Sequence, residues 1–406
     1  MITGRRTQVA VVGGGPAGAV VATLLARAGR EVALFERAPV PVWRAGGVFT
    51  SPATMAALRR IGVEETLLGA LARPIPGLRV ETLRGTSFRL TYGDDGSLAA
   101  PAVGLDRPAF DAALLAMAER AGADVRMGVT VRRVTVGGEG IQLAIQSGMV
   151  TATVDANVVI GADGLRSVVA RSVGVVRRAP LGPRVGLTYH LRDPEPDVLR
   201  DGRMCVLDGA YCGLAPVAGG RINVGIVLAS PAWRRELSER GAAAVATHVL
   251  ALVPVAADEP RGWRDGEPSD EIAGAAPLAH RVSRRSGDGW LLIGDAAGFL
   301  DPFTGEGLHR ALVSAELAAA SVDAHLRGER GALRGYARAM SARFATKDIV
   351  SRVVNAFLDH PAAFEHVAAR LARRAAVRET MGLVMGDLVA ASRALDPRFL
   401  AALLAP

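Results

Sequence analysis

Three glycines near the start of the chain have the spacing used to bind the phosphates of a nucleotide. Gly13, Gly15 and Gly18 form a G-x-G-x-x-G pattern that also contains Pro16 and Ala17. In such a pattern the first glycine makes a tight turn, the second lets the backbone approach a pyrophosphate, and the third allows close packing of helix on strand. The free N–H groups and the positive dipole end of the following helix can then hold the anion.

The elements around these glycines are those of a strand–helix–strand unit. Residues 9–12 are an unbroken apolar run, which predicts a buried parallel strand. A helical pattern of apolar residues follows and is stopped by Gly29, and a second apolar strand at residues 32–35 ends in Glu36. A carboxylate at that position can accept hydrogen bonds from a ribose. Because a strand, a turn, a helix, a second strand and an acidic residue follow one another in the order of a dinucleotide-binding unit, we expect a bound dinucleotide rather than a bare structural turn.

The composition is that of a folded protein with more than one domain. The chain has 406 residues, of which 50% are apolar and 22% are charged, and this length predicts two or three domains. No segment resembles a signal peptide. The longest mostly apolar run, residues 241–257, contains His248 and Pro254 and predicts a buried helix rather than a membrane span. We therefore expect a cytoplasmic protein.

The net charge of +8 does not indicate a nucleic-acid partner. Lys347 is the only lysine, aromatic residues make up 4% of the chain, and no compact basic run with interleaved aromatics is present. We expect no nucleic-acid binding. The only two cysteines, Cys205 and Cys212, flank a predicted hairpin turn at residues 208–211. They provide neither metal-ligand spacing nor a disulfide framework, so no metal is predicted and a reducing compartment is favoured.

Two further motifs follow predicted strands later in the chain. Residues 158–167 read V-V-I-G-A-D-G-L-R-S and residues 290–297 read W-L-L-I-G-D-A-A. Together with the glycine pattern, and in this order, they resemble the FAD-dependent oxidoreductases of the para-hydroxybenzoate hydroxylase fold, which include class A flavin monooxygenases and geranylgeranyl reductase-like proteins. The resemblance extends over roughly residues 7–327. It implies FAD as the cofactor.

The resemblance also implies roles for three charged residues. Asp295 would hydrogen-bond the ribityl chain, Asp163 would support both FAD and nicotinamide binding, and Arg107 would lie near the pyrophosphate and the ribityl. These roles agree with the hydrogen bonding of carboxylates to sugar hydroxyls and of guanidinium to pyrophosphate. The alternative for both aspartates is capping of a turn after a strand.

A glycine-rich segment precedes a predicted long helix, residues 307–326. Residues 302–307 read P-F-T-G-E-G, and Gly305 and Gly307 would let the backbone approach a planar ring. The N-terminus of the helix would stabilise negative charge on a reduced flavin. The segment is similar to that of geranylgeranyl reductases. The alternative for Glu306 is an exposed carboxylate at a helix N-terminus.

The chain departs from the reductase pattern in two places. Those reductases usually carry a cysteine before paired glycines near the flavin, whereas residues 44–47 read R-A-G-G here. They also carry Y-x-W-x-F-P along the prenyl pocket, whereas residues 211–216 read Y-C-G-L-A-P. A proton-relay thiol and two large aromatic side chains are therefore replaced. We expect a wider pocket for a bulkier or ring-shaped substrate.

These observations define the candidate site residues. Those predicted to bind the cofactor are Gly13, Gly15, Pro16, Ala17, Gly18, Glu36, Arg37, Arg44, Gly46, Gly47, Arg107, Asp163, Gly164, Gly294, Asp295, Pro302, Gly305, Glu306, Gly307 and Leu308. The candidate catalytic residues are Tyr211, which the reductase-like motif places in the pocket, and His190 and His309. A surface or core position is the alternative for both histidines. Further acid–base candidates are Tyr189 and Asp208 in the inserted domain and Asp301 close to the flavin.

The predicted fold is α/β, with a Rossmann-like FAD-binding domain, an inserted antiparallel β-sheet domain for the substrate, and a C-terminal helical region. The FAD-binding domain is discontinuous and comprises residues 1–75, 100–180 and 277–330. The substrate domain comprises residues 76–99 and 181–276, and the helical region residues 331–406. The apolar periodicity and interleaved arginines of that last region have two interpretations, an amphipathic cap on the body or basic helices resting on an anionic membrane.

The predicted activity is that of an FAD-dependent oxidoreductase. The favoured form is an NAD(P)H-dependent monooxygenase that uses O2 to hydroxylate or epoxidise a hydrophobic small molecule of polyketide, aromatic or terpenoid type in secondary metabolism. The second is a geranylgeranyl reductase-like enzyme that reduces isoprenoid or quinone double bonds. In a third hypothesis, the protein binds FAD but the flavin has no redox role. A monomer or a homodimer fits the sequence equally well.

Overall fold

The computed structural model describes residues 6–92, 101–137, 140–179, 182–256, 259 and 262–404. Residues 93–99 of the predicted substrate domain therefore lie outside the described residues, as do Gly138 and Glu139.

The strands of the described residues range from 2 to 12 residues in length. They are β1 (Thr7–Val12), β2 (Val32–Glu36), β3 (Phe49–Thr50), β4 (Ala72–Ile75), β5 (Gly77–Thr82), β6 (Ser87–Thr91), β7 (Ala102–Leu105), β8 (Asp124–Met127), β9 (Thr130–Gly137), β10 (Gly140–Ser147), β11 (Val150–Gly161), β12 (Val176–Arg177), β13 (Val185–Arg192), β14 (Gly202–Leu207), β15 (Ala210–Val217), β16 (Arg221–Leu228), β17 (Ala273–Ala275), β18 (Arg281–Val282), β19 (Ser286–Gly287) and β20 (Trp290–Leu292).

The helices lie between the strands and in the C-terminal part of the chain. They are α1 (Pro16–Arg27), α2 (Pro52–Ile61), α3 (Glu65–Leu71), α4 (Arg107–Arg120), α5 (Val168–Ser172), α6 (Pro231–Leu252), α7 (Gly307–Leu326), α8 (Ala332–Leu358), α9 (Pro361–Arg373), α10 (Ala375–Met385) and α11 (Pro397–Leu404). Short 3-10 helices are Gly164–Arg166, Trp263–Asp265, Gly294–Ala297 and Ala391–Leu395.

The central sheet joins strands that are far apart in the sequence. Its order is β19-β20-β11-β1-β2-β8, and the contacts of β1 with β2 and β11, of β2 with β8 and of β11 with β20 are parallel. β9 and β10 extend β11 as an antiparallel hairpin. Residues 9–12 are buried, as a strand covered on both faces requires. The carboxyl ends of β1, β11 and β20 therefore meet at one edge, where the three sequence motifs begin.

The second large sheet is mainly antiparallel. Its order is β17-β13-β16-β15-β14-β5-β6, and only β14 and β5 pair in parallel. The turn between β14 and β15 is shorter than the sequence predicts, because it contains only Asp208 and Gly209, which has a φ of 65°. Tyr211 consequently lies inside β15, opposite Val206 of β14. Together, the parallel sheet, this sheet and the C-terminal helices confirm the predicted fold class.

The helices cover the sheets with their apolar faces. α6 covers only residues 241–252 of the predicted buried helix, because it ends before Pro254, and it is interrupted at Gly241, which has φ 79° and ψ 170°. α9, α10 and α11 pack Phe364, Val384 and Phe399 into a cluster with Phe88 of β6. This packing supports the interpretation of the C-terminal helices as a cap. Among the described helices, none combines the length and the apolar character that crossing a membrane requires.

Candidate functional site

The glycine turn between β1 and α1 is built by close backbone approach. Gly13 has a φ of 104°, and a Cβ there would lie 2.5 Å from the carbonyl oxygen of Ala162. A Cβ on Gly18 would lie 1.9 Å from the carbonyl oxygen of Gly13. Gly15, by contrast, has open space where its Cβ would be. The turn therefore leaves room for a ligand at Gly15, directly before the N-terminus of α1.

One cavity of about 1000 Å³ connects the glycine turn with the second sheet and the C-terminal helices. Its wall includes most of the predicted cofactor residues, namely Gly13, Gly15, Pro16, Ala17, Glu36, Arg37, Arg44, Gly46, Gly47, Arg107, Asp163, Gly164, Gly294, Asp295, Pro302, Gly305, Gly307 and Leu308. Gly18 and Glu306 are not part of the wall. The volume of the cavity and the extent of its wall suit an extended dinucleotide together with a second molecule.

Glu36 ends β2 and is held by donors of the protein itself. Its Oε2 accepts a hydrogen bond from the N–H of Gly14 at 2.8 Å, and its Oε1 accepts from the N–H of Ala38 at 2.8 Å and from Arg44 at 2.7 Å. Although burial opposes ionisation, these hydrogen bonds keep the pKa of Glu36 below its ordinary value. The carboxylate is thus ionised and fixed next to the glycine turn.

Asp163 follows β11 and offers an acceptor to the cavity. Its Oδ2 accepts from the N–H of Val168 at 2.6 Å, while Oδ1 is buried and has no hydrogen-bond partner among the described residues. Burial raises the pKa of Asp163, although the hydrogen bonds from the N–H groups of Val168 and Val169 oppose this. A buried acceptor without a partner is costly unless a ligand supplies the donor. The turn-capping alternative accounts for Oδ2 but leaves Oδ1 unexplained.

Asp295 and Arg107 are far apart in the sequence and line the same cavity. Burial raises the pKa of Asp295 to about 6, although the charges of Arg107 and Arg310 oppose this. Arg107 forms a two-point ion pair with Asp111 at 3.1 and 3.2 Å and donates to the carbonyl oxygen of Gly47 at 2.7 Å. The last contact fixes the loop at residues 44–47 against α4. The orphaned Oδ1 of Asp163, the open space at Gly15 and this carboxylate–guanidinium set fit the hydroxyls and pyrophosphate of FAD.

The segment before α7 brings together residues from three distant parts of the chain. Asp301 is buried, accepts a hydrogen bond from the Tyr211 hydroxyl at 2.6 Å and pairs with Arg184 at 2.7 Å. Arg184 also donates to Asn355 at 2.5 Å and to Asp359 at 2.6 Å. No local pattern in the sequence distinguishes Arg184, Asn355 or Asp359, so sequence reasoning misses them.

Two of the three candidate catalytic residues lie off the cavity wall. Tyr211 lines the cavity, but His190 and His309 do not. His190 is buried, with Nδ1 2.5 Å from Asp270 and its ring 4.4 Å from that of Trp43. Burial lowers the pKa of His190 and lowers that of His309 to about 4. Both imidazoles are therefore neutral core residues near pH 7, which is the alternative given for them above.

The position of Glu306 differs from both predictions made for it, a residue that binds the cofactor and an exposed carboxylate at a helix N-terminus. It is neither exposed nor part of the cavity wall, because its carboxylate lies 3.6 Å from the ammonium of Lys347 and accepts from Ser351 at 3.3 Å. Lys347 in turn pairs with Asp387 at 2.9 Å. Glu306 thus ties the start of α7 to α8 and to the segment after α10. The sequence does not predict that this lysine is buried, because lysine side chains are mostly exposed to solvent.

The far wall of the cavity comes from the C-terminal helices. Those that contribute apolar side chains are α8 (Val350, Val353, Val354, Phe357), α9 (Phe364, Val367, Leu371) and α10 (Met381, Met385), followed by residues of the last segment (Ala394, Leu395, Phe399, Leu400, Leu403, Leu404). Opposite them lie side chains of the second sheet, among them Leu78, Val80, Phe88 and Leu90. This part of the cavity suits a hydrophobic molecule.

The fold and the site together define a flavin-binding oxidoreductase. A dinucleotide turn, a carboxylate after each of three parallel strands and an adjoining apolar chamber are the features on which this class rests. The chain belongs to the family described as "FAD binding domain", whose family model matches residues 6–343. It is therefore an FAD-dependent oxidoreductase, as the sequence predicts.

Similar proteins include two reductases and a flavin-dependent halogenase. The chain is 29% identical to a menaquinone reductase of Mycolicibacterium smegmatis over 95% of this chain and 92% of that protein. It is 31% identical to digeranylgeranylglycerophospholipid reductase 2 of Methanopyrus kandleri over 77% of this chain and 75% of that protein. The flavin-dependent halogenase CmlS has a similar structure, with a TM-score of 0.73 and 26% identity, over 85% of this chain and 63% of the halogenase.

Proposed function

We propose that the protein is an NAD(P)H- and O2-dependent monooxygenase that hydroxylates or epoxidises a hydrophobic small molecule of polyketide, aromatic or terpenoid type in secondary metabolism. The observation that carries this proposal is the hydrogen bond between Tyr211 and Asp301 at the wall of the cavity. A bound FAD supplies the redox chemistry. The residues that would hold it are those of the glycine turn with Glu36, Arg107, Asp163 and Asp295.

Tyr211 offers the cavity an acceptor rather than a donor. Its single hydroxyl proton is donated to Asp301 at 2.6 Å, and Arg184 at 2.7 Å favours the ionised form of that carboxylate against the effect of burial. The oxygen of Tyr211 retains lone pairs that can accept a further hydrogen bond. A substrate that places a hydroxyl group against Tyr211 satisfies this acceptor, whereas a carbonyl oxygen does not. The arrangement favours a phenol or another hydroxyl-bearing molecule.

The same three residues can move a proton away from such a substrate. As the substrate hydroxyl gives its proton to Tyr211, Tyr211 gives its own proton to Asp301, so two O–H bonds break and two form. The negative charge moves from Asp301 to the substrate oxygen. Burial raises the pKa of Asp301 although Arg184 opposes this, and this makes the carboxylate a usable base. An ionised oxygen makes the substrate electron-rich and more reactive toward an oxygen electrophile, and positioned proton transfer typically contributes about 10²–10⁴-fold in rate.

Small residues of the second sheet widen the chamber next to Tyr211. Gly213 of β15 lies opposite Gly225 of β16, and both line the cavity. A Cβ on Gly225 would meet no atom closer than 3.7 Å, so the space above it is free for a ligand. This width supports a ring-shaped substrate.

The second candidate is a reductase of isoprenoid or quinone double bonds. The observations in its favour are the P-x-T-G-E-G segment, the apolar wall from the C-terminal helices and the reductase relatives named above. Ala45 stands where the resembling reductases carry a cysteine, so the proton donor of that reaction would have to come from another residue.

Product analysis separates the candidates. The purified protein with FAD is incubated with NADPH or NADH under isotopically labelled O2, with hydroxylated polycyclic aromatics, menaquinone and geranylgeranyl lipids as substrates. A product that gains one labelled oxygen atom supports the monooxygenase, and a product that gains two hydrogen atoms supports the reductase. Turnover without consumption of reductant would contradict both candidates.

A matched pair of tyrosine variants tests the role of Tyr211. Tyr211→Phe should lower kcat/KM for a hydroxylated substrate by about 10²-fold or more and leave the flavin content unchanged. Tyr336→Phe is the control, because Tyr336 is buried and donates to the carbonyl oxygen of Leu292 but does not line the cavity. Equal losses of activity in both variants would contradict the role assigned to Tyr211.

A further inference from the structure

A second cleft, of about 770 Å³, adjoins the flavin cavity. The two share part of their lining, since Leu165, Arg166, Arg171 and Pro277 face both. The shared segment begins directly after Asp163 and Gly164, which belong to the flavin site. A ligand in the second cleft would therefore be next to the cofactor without occupying its place.

The lining of the second cleft is strongly basic. Four arginines contribute to it, namely Arg166, Arg171, Arg177 and Arg178, and among the described residues no aspartate or glutamate does. Arg177 lies on β12 directly opposite Arg281 of β18. Like charges at directly opposed positions destabilise a strand pair. The ribbon formed by β12 and β18 thus concentrates positive charge at a cost to its own stability.

The four lining arginines and Arg281, which lies opposite Arg177 on the ribbon but is not itself part of the lining, are hereafter called the arginine cleft. Within the described residues, these five side chains also lack carboxylate partners. Within the described ranges, Arg166, Arg171 and Arg177 donate hydrogen bonds to backbone carbonyl oxygens, and none of the five forms an ion pair. Exposed arginines elsewhere do find acids, as Arg59 with Glu65 and Arg89 with Asp201. The guanidinium groups of the arginine cleft are therefore available to an anion.

We propose that the arginine cleft binds the phosphate groups of NADPH and selects it over NADH. This inference rests on the proposed function, which requires a nicotinamide nucleotide as reductant, and it names which of the two nucleotides serves. A site for NADH holds the free ribose diol with a carboxylate, whereas a site for NADPH holds the 2′-phosphate with arginine. The described lining of this cleft contains four arginines, together with Ser167 and His280, and no carboxylate.

The volume and the shared wall agree with this assignment. About 770 Å³ is within the range of pockets that hold ligands of this size. With the phosphorylated adenosine end among Arg177, Arg178 and Arg281, the nicotinamide end can extend past Leu165 and Pro277 toward the flavin cavity, because these two residues line both spaces.

Binding of nucleotide fragments tests the proposal without turnover. The holoprotein is titrated by calorimetry with adenosine 2′,5′-bisphosphate, with 5′-AMP and with inorganic phosphate at low and moderate salt. We expect the bisphosphate to bind about tenfold or more tightly than 5′-AMP, and NADPH to show the same preference over NADH. Equal affinities for the bisphosphate and 5′-AMP, or tightest binding of inorganic phosphate, would overturn the assignment.

Arg281→Glu is the informative variant because it should not harm folding. It replaces the Arg177–Arg281 repulsion by an opposite-charge pair across the ribbon, so thermal stability should be equal or higher. We expect it to abolish the preference for the bisphosphate. Arg120→Glu is the control, because it makes the same change in net charge. Arg120 is exposed at the end of α4. This helix leads to β8, which is at the other end of the strand order of the central sheet from β19.

Two results would reassign the arginine cleft. An unchanged preference in Arg281→Glu would exclude it as the nucleotide site. Loss of binding to vesicles of anionic phospholipid, together with unchanged nucleotide affinity, would make it a membrane surface instead. Because these titrations involve no substrate, a failure of the monooxygenase assay and a failure of this inference are separate results.

Discussion

Replacing Arg184 by methionine should destabilise the protein strongly, and by an amount that depends on pH. The Arg184 side chain is 3% exposed and that of Asp301 is 1% exposed, with 2.7 Å between their charged atoms. Removing one partner of a buried ion pair costs about 3–5 kcal/mol, since the other charge is left without compensation. The contact with Asp359, whose side chain is 42% exposed, adds little. We therefore expect Arg184→Met to lose about 3–5 kcal/mol at pH 8.

The sign of the pH dependence follows from Asp301. Burial raises its pKa in the folded protein, and Arg184 is the largest opposing influence. Without Arg184 the folded-state pKa rises further, so the folded variant binds a proton that the unfolded chain has already released. The stability of the variant must then fall as the pH rises from the unfolded pKa to the new folded pKa, by about 1.4 kcal/mol per pH unit within that window. The difference from the wild type is smallest at acid pH.

Urea unfolding followed by tryptophan fluorescence at pH 5.5 and pH 8 measures this difference. Asp301→Asn combined with Arg184→Met should recover about 2 kcal/mol at pH 8, because it removes the uncompensated charge. Arg89→Met is the matched control, since Arg89 forms a two-point pair with Asp201 but is 44% exposed, and should cost about 1 kcal/mol or less. Equal destabilisation at both pH values, with no recovery in the double variant, would refute the buried-pair reasoning.

Three further predictions concern the cofactor, the chamber and the start of α7. The affinity of the apoprotein for FAD should rise about fivefold as the pH is raised through about 6, because the ionised carboxylate of Asp295 accepts stronger hydrogen bonds from sugar hydroxyls. Asp295→Asn should abolish this rise in a flavin-fluorescence titration. An unchanged rise in the variant would exclude Asp295 as its cause. Gly225→Val should fold normally and raise KM for a bulky substrate about tenfold, since a Cβ there meets no atom closer than 3.7 Å and a larger side chain would occupy space in the chamber; an unchanged KM would place the substrate elsewhere. Lys347→Met should lose about 3 kcal/mol in urea unfolding, because Glu306 and Asp387 remain as buried carboxylates without their lysine partner. The loss should be larger at pH 8 than at pH 5, because burial raises the pKa of Glu306 and the folded variant can protonate that carboxyl group at the lower pH; a loss that is independent of pH would contradict this.

The sequence is most informative where function depends on backbone geometry within one segment. The glycine turn is such a case: Gly13 and Gly18 are required because any Cβ would collide with neighbouring backbone, and Gly15 because a ligand needs the space. The start of α7 at Gly307 and the buried strands at residues 9–12 are determined equally locally. For this reason the fold class and the FAD-binding oxidoreductase family could be predicted from short motifs and their order.

Prediction is weaker for side chains whose environment is set by distant residues. His190 and His309 have the chemistry of catalytic groups, but burial gives them neutral roles in the core that no local pattern reveals. Glu306 sits in a motif next to the cofactor segment, yet its carboxylate points to Lys347, 41 positions further along the chain by their residue numbers. Desolvation and pairing, rather than residue type, decide what each group can do.

The amino-acid sequence by itself thus determined the dinucleotide turn, the order of the elements and the cofactor class, because these follow from glycine conformation, apolar periodicity and short motifs. The tertiary structure alone decided which groups meet. Tyr211 and Asp301 are 90 positions apart, and Arg184 and Asp301 are 117 apart. The opposed arginines of the ribbon and the apolar wall of the C-terminal helices likewise arise only when distant segments pack. Strand register and helix packing bring these residues within contact distance, and neither can be read from any one segment of the chain.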